Sequence, residues 1–179
     1  MSAAAFSPRT EDLLARADAI CAARGAKLTA LRRDVLGLIL DADTPVGAYD
    51  LLDRLRRSRG NAAPPTVYRA LEFLGAQGLV HRVERLAAFV GCVAHPEPDA
   101  HTPAGAAPTP HAHTHTHAAQ FLICRRCGRA IELDDPELAH ALAAAAARRG
   151  FTVGAATIEA EGLCASCAAA PVAETASCP

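Results

Sequence analysis

Aromatic residues are scarce in this chain. They make up 4% of its 179 residues, tryptophan is absent, and much of the 51% hydrophobic share is alanine. Such side chains support a modest core divided between two units more readily than one large core. The chain also lacks any uninterrupted apolar run of about eighteen residues, which excludes a membrane-spanning helix. Its opening, MSAAAFSPRTEDLL, has no basic start followed by an apolar stretch, so no signal peptide is expected. Those absences predict a cytoplasmic protein, with no membrane partner and with reduced thiols. Disulfides are then the poorer reading of the cysteines, whose odd number, seven, leaves at least one unpaired in any case. No internal repeat is visible.

Charge is nearly balanced at −1, but unevenly placed. Residues 1–90 carry thirteen Lys or Arg against ten Asp or Glu, whereas residues 91–179 carry five against nine. The front is thus +3 and the back −4, a weak pointer to an anionic partner for the front.

Helical signals fill the front. Ser7 and Pro8 open a helix over 8–24 with Leu13, Leu14, Ala17, Ile20 and Cys21 on one face, closed by Gly25. Thr29 is placed to cap a second helix with the stripe Leu31, Val35, Leu38 and Ile39. A third helix over about 48–58 turns Leu51, Leu52 and Leu55 inward and leaves Arg54, Arg56, Arg57 and Arg59 outside. Pro64 and Pro65 start a fourth, which Gly78 stops, with Val67, Leu71 and Leu74 buried. LVHRVE and AAFVGC read as two short strands around a turn at Arg85 and Leu86. Helices followed by a small hairpin are the order of a winged helix-turn-helix.

Residues 93–117 hold five prolines, six histidines and no apolar period, the signature of a linker. Beyond them AQFLIC and RAIEL are expected as strands, 136–149 as an alanine-rich helix, and FTVGAATIEAEG as a third strand. The fold class is therefore α+β, a winged helix followed by a small α+β unit.

Three constellations carry chemistry. In FLICRRCG and GLCASC, two Cys-x-x-Cys pairs, Cys124 with Cys127 and Cys164 with Cys167, are separated by thirty-six residues. Each such turn aims two sulfurs at one centre, and two turns complete a tetrahedron for Zn²⁺ with no open position. A structural zinc site is the favoured reading; a redox dithiol and unrelated free thiols are the competing ones. The second set is less local. His81 and Cys92 fall on the wing strands, His117 precedes Cys124, and Glu132 follows Cys127, together offering mixed nitrogen, sulfur and oxygen donors. Taken singly, each of these four is more often structural. Third, Thr66, Tyr68 and Arg69 lie off the apolar face of the fourth helix, where Arg69 could reach a guanine edge and the others phosphates or thymine methyls.

With those residues in view, KLTALRRDVL, YDLLDRL, PPTVYRALEFL, GLVHRVE, FLICRRCG and IEAEGLCASC resemble the ferric uptake regulator family, and within it the zinc-uptake branch. The likeness runs from about residue 9 to 168. It implies a homodimer with a winged-helix DNA-binding domain over 1–92, a His/Pro-rich linker loop over 93–117, an α+β dimerisation and zinc-binding domain over 118–170, and a tail over 171–179. It implies one structural Zn²⁺ per subunit on Cys124, Cys127, Cys164 and Cys167, and one regulatory Zn²⁺ on His81, Cys92, His117 and Glu132. It also implies contacts of Tyr49 and Arg69 with an operator duplex. The stretch HTHAAQ lacks the Asp of the family's iron-type members, and the soft Cys92 thiolate favours zinc over iron or manganese.

The expected activity is zinc-responsive repression of zinc uptake genes at pseudo-palindromic operators, without enzymatic chemistry. The alternatives are an iron-, manganese- or peroxide-sensing relative, and a cytosolic zinc buffer or delivery protein working through His111, His113 and His115. Asp53 and Arg56, three apart on the third helix, are candidates for pairing between dimers, against the plainer reading of an ion pair within one helix.

Overall fold

The computed structural model describes residues 6–60, 62–92 and 119–169, and the chain divides into two compact units, 1–117 and 118–179. Among its described residues the first unit is built on four helices: α1 Pro8–Ala23, α2 Ala30–Leu40, α3 Ala48–Arg59 and α4 Pro64–Ala76. Three strands accompany them, β1 Val46–Gly47, β2 Val80–Val83 and β3 Ala88–Gly91. The apolar stripes meet in one core, in which Leu14, Val35, Leu36, Leu51, Leu55, Val67 and Leu74 are almost wholly shielded. Each such side chain contributes about 1.5–3 kcal/mol relative to leaving it exposed.

Local chemistry sets the ends of the elements. Ser7 caps α1 by accepting from Thr10 N at 3.3 Å, and Pro8 fills a position whose N–H would be unpaired anyway. Thr10 in turn donates to Asp41 Oδ1 at 2.9 Å, tying the start of α1 to the end of α2. The Ser7 and Thr10 hydroxyls hold the Asp41 carboxyl below its ordinary range. Thr29 does occupy the capping position of α2, but its side chain makes no capping bond, a correction to the sequence reading. The cap position and the hydroxyl's orientation are separate matters, and spacing reports only the first.

The wing is three-stranded, in the order β1-β3-β2, and not the two-stranded hairpin expected. The extra strand pairs Val46 with Phe89 and Gly47 with Ala88. Two residues carry no alternation, so pattern cannot find them. Between β2 and β3 the chain makes a 3-10 turn over Glu84–Leu86.

The second unit has β4 Ala119–Cys124, β5 Ala130–Leu133, α5 Pro136–Ala147, β6 Thr157–Gly162 and α6 Ala165–Ala169. Its sheet runs β5-β4-β6, with β5 antiparallel and β6 parallel to β4. A parallel neighbour needs a crossover, and the segment containing α5 supplies it. Asp135 caps α5 by accepting from Glu137 N and Leu138 N, and Pro136 follows. No residue of α5 is buried. Its helicity within one chain rests on alanine propensity and this cap rather than on packing. The strand expected over 151–162 is shorter than its pattern: β6 begins at Thr157, while 151–156 lead irregularly away from the helix end. Among the described residues no helix is long and apolar enough to cross a membrane.

Candidate metal centre and nucleic-acid interface

Parallel pairing brings the cysteines of the second unit together. Because Cys124 on β4 lies beside Gly162 on β6, both Cys-x-x-Cys segments leave the same end of the sheet. Gly128, with φ of 72°, turns the first segment back so that its N–H reaches Cys124 O at 2.9 Å, and Cys124 N donates to Arg129 O at 2.8 Å. The second segment runs through Cys164 into α6, which carries Cys167; a turn had been expected there. Arg126 donates to Cys167 O at 2.8 Å and so links the two segments.

The four sulfurs lie within 4.8 Å of one another, and Cys127 Sγ is 3.9 Å from Cys164 Sγ. Four thiolates around one ion at about 2.3 Å would stand about 3.8 Å apart along the edges of a tetrahedron. The donor set and spacing therefore fit Zn²⁺, with every position filled by protein. Backbone N–H groups reinforce the fit. Cys164 N points at Cys124 Sγ from 3.4 Å, and N–H groups from Cys164, Cys127 and Arg126 hold the Cys124 thiol down to about 5. Cys167, hydrogen-bonded to Cys164 and desolvated, is pushed up to about 12. Crowded thiols resist ionising together, and a divalent cation relieves that resistance.

The wing holds half of the second set. His81 on β2 is opposite Val90 on β3, and Cys92, two residues beyond Val90, shares its face. Cys92 N donates to Leu79 O at 2.9 Å, which extends the ladder by one residue past β3. The His81 and Cys92 ligand atoms fall within 4.8 Å of each other. Gly91 allows β3 to lie against α2: a Cβ there would meet Leu40 Cδ2 at 2.3 Å. Sequence reasoning passed over this residue, although an isolated glycine within a strand pattern is a recognised signal of a close neighbour, here the Leu40 side chain. Glu132, in the second unit, is exposed on β5 opposite Phe121. His111, His113, His115 and His117 lie outside the described residues.

Side chains able to read a duplex stand on the helix-turn-helix. On α4, Val67, Leu71 and Leu74 face the core, while Thr66, Tyr68 and Arg69 are exposed, as helical spacing demands. Tyr68 is 50% accessible, and Tyr49 at the start of α3 is 74% accessible, unusual for large aromatic groups without a partner surface. Asp53 and Arg56 form an exposed ion pair of 3.7 Å within α3, and Arg56 Nε also donates to Ala62 O at 3.2 Å.

No protein-family model matches the chain. The ferric uptake regulator Fur of Helicobacter pylori superposes with a TM-score of 0.52 over 91% of this chain and 96% of its own, at 17% identity, and shares the fold. A winged helix followed by an α+β unit is thus the fold this chain shares with that class of regulators. Identity then narrows the class. The zinc uptake regulation protein of Escherichia coli (strain K12) is 41% identical over 158 residues, 88% of this chain and 82% of its own. A zinc uptake regulator solved in complex with zinc and DNA is 40% identical, with a TM-score of 0.76 over 90% of this chain and 97% of that one. The chain belongs to the zinc uptake regulation protein family.

Proposed function

We propose that this protein is a zinc-responsive transcriptional repressor. In this reading its zinc-loaded homodimer binds pseudo-palindromic operators of zinc uptake genes in the cytoplasm. The carrying observation is 41% identity over 158 residues to a zinc uptake regulation protein, a regulator and not an enzyme.

One Zn²⁺ belongs on Cys124, Cys127, Cys164 and Cys167, where it ties β4 to the end of β6 and has no coordination position to spare for chemistry. A second belongs on His81, Cys92, His117 and Glu132. The support for it is the pairing of His81 with Cys92 on one wing face and the mixed donor set, which binds more reversibly than four thiolates. A metal that takes donors from both units restrains one against the other. The empty state samples many separations of the two recognition helices; the loaded state holds them about 34–36 Å apart, one turn of DNA. To act as a switch, zinc must favour the DNA-competent state by roughly 1–3 kcal/mol.

Arg69 reads a base edge, Thr66 and Tyr68 grip the backbone beside it, and Tyr49 approaches from α3. The homodimer forms through the second unit. Leu122, Ile131 and Leu163 stand 42%, 45% and 44% exposed there, and α5 buries nothing within its own chain. Asp53 and Arg56, which pair with each other within α3, are exposed and could exchange partners between neighbouring dimers on a long operator. Gel shifts of one sample with zinc, iron, manganese and chelator test the reading. Zinc alone should restore a specific complex; an equal response to iron would overturn the zinc assignment.

A further inference from the structure

The helix that presents Arg69 carries no basic residue in its last turn. Its carbonyls there end in the negative pole of the helix, which a nearby cation would stabilise. Two other elements supply cations. Arg24, the residue that closes α1, donates from its guanidinium to Gln77 O, the residue that closes α4. Arg32 on α2 sets its guanidinium carbon over the Phe73 ring of α4, 3.4 Å from its centroid. That guanidinium is itself held, since Arg32 also donates to Lys27 O at 2.7 Å. The core packs α4 through Val67, Ala70, Leu71 and Leu74, with Phe73 partly buried beside them. Packing of that kind permits small sliding and rotation, and a bidentate base contact does not tolerate such movement.

We infer that Arg24 and Arg32 are positioning residues for DNA recognition: they clamp the carboxyl-terminal half of α4 so that Arg69, one turn before Phe73 on the same helix, holds a fixed aim. This rests on the reading of α4 as the recognition helix. The two arginines act on sequence discrimination and not through phosphate contacts of their own. Lysine cannot replace Arg32, because it lacks the flat group that both stacks and donates; it can replace Arg24, where one N–H to a carbonyl suffices.

The test uses the full-length zinc-loaded protein and two duplexes. One is selected from a random library by the wild-type protein, and the other is an unselected duplex of equal length. Affinities are measured across a salt series for Arg24→Ala, Arg24→Lys, Arg32→Ala, Arg32→Lys and Arg69→Ala, well below each variant's melting temperature. Arg24→Ala and Arg32→Ala should lose roughly tenfold on the selected duplex and little on the unselected one. Their salt slopes should not change, whereas loss of a phosphate contact lowers the slope by about one. Arg24→Lys should recover and Arg32→Lys should not. Amide exchange over residues 73–77 should quicken in both alanine variants. Equal losses on both duplexes with a lower slope would make the arginines phosphate ligands and overturn the inference. Full affinity of both alanine variants beside a defective Arg69→Ala would also overturn it, leaving the recognition helix in place. Indifference to Arg69→Ala would instead overturn the reading of α4 itself.

Discussion

At the scale of single residues, burial separates recognition from packing. Arg69 is exposed on a helix whose opposite face is fully packed, so its removal should spare the fold. Arg69→Ala is expected to keep zinc and dimer while losing about 1–3 kcal/mol of operator discrimination, read by anisotropy on matched and mismatched duplexes. Cys92→Ser should likewise leave a folded dimer, because Cys92 is only half-buried and its backbone bond to Leu79 survives. What it should lose is zinc-responsive DNA binding. A Cys92→Ser protein that responds normally to zinc would remove Cys92 from the regulatory set. Asp41 supplies a pH-dependent contribution. Its folded carboxyl is held low by Ser7 and Thr10, so its stabilisation is present above the unfolded value of about 3.9 and fades as pH falls through the folded one. The melting-temperature gap between wild type and Asp41→Asn should therefore narrow in acid.

Among the elements, β3 and α2 meet through a glycine and a leucine side chain. Gly91 at the end of β3 rests against Leu40 of α2 with no room for a methyl group. Gly91→Ala should cost about 1 kcal/mol of stability, as Leu40 turns aside, and move Cys92, the next residue. Melting curves and zinc affinity together check it; unchanged values for both would deny Gly91 its positioning role. The turns that bear the thiols behave differently. They own little core, so in the proposed reading their order depends on the ion: Cys164→Ser should unfold the second unit and leave the helices of the first intact, as circular dichroism would register. The elements were also unevenly legible in the sequence. Long periodic stretches were readable: α1, α3 and α4 fall close to where apolar spacing and proline placed them, and Leu51, Leu52, Leu55, Val67, Leu71 and Leu74 are buried as expected. The two-residue β1, the five-residue α6 and the late start of β6 were not, because each owes its conformation to a partner strand or a neighbouring turn and not to its own period. The four cysteines declared themselves through spacing. His81 and Cys92 needed the register of the wing before their shared face could be seen.

At the scale of the whole molecule, each half handles a different problem. The first unit has a core of its own and presents exposed side chains suited to DNA. Among its described residues the second has few buried groups, Phe121 and Ile123 among them, and in the proposed reading a metal ion and a second copy complete it. Swapping the charges of Asp53 and Arg56 together should preserve binding of one dimer, since the pair is exposed and its intrachain bond can re-form. Cooperative filling of a long operator should fall in either single variant, Asp53→Arg or Arg56→Asp, and return in the double. The regulatory claim meets its most direct check in operator affinity measured on one preparation before and after thorough chelation and again after zinc is restored. The account expects specific binding to collapse on chelation and to return with zinc at one additional equivalent per subunit beyond the four-cysteine ion; equal affinity in the stripped and reloaded states would contradict it.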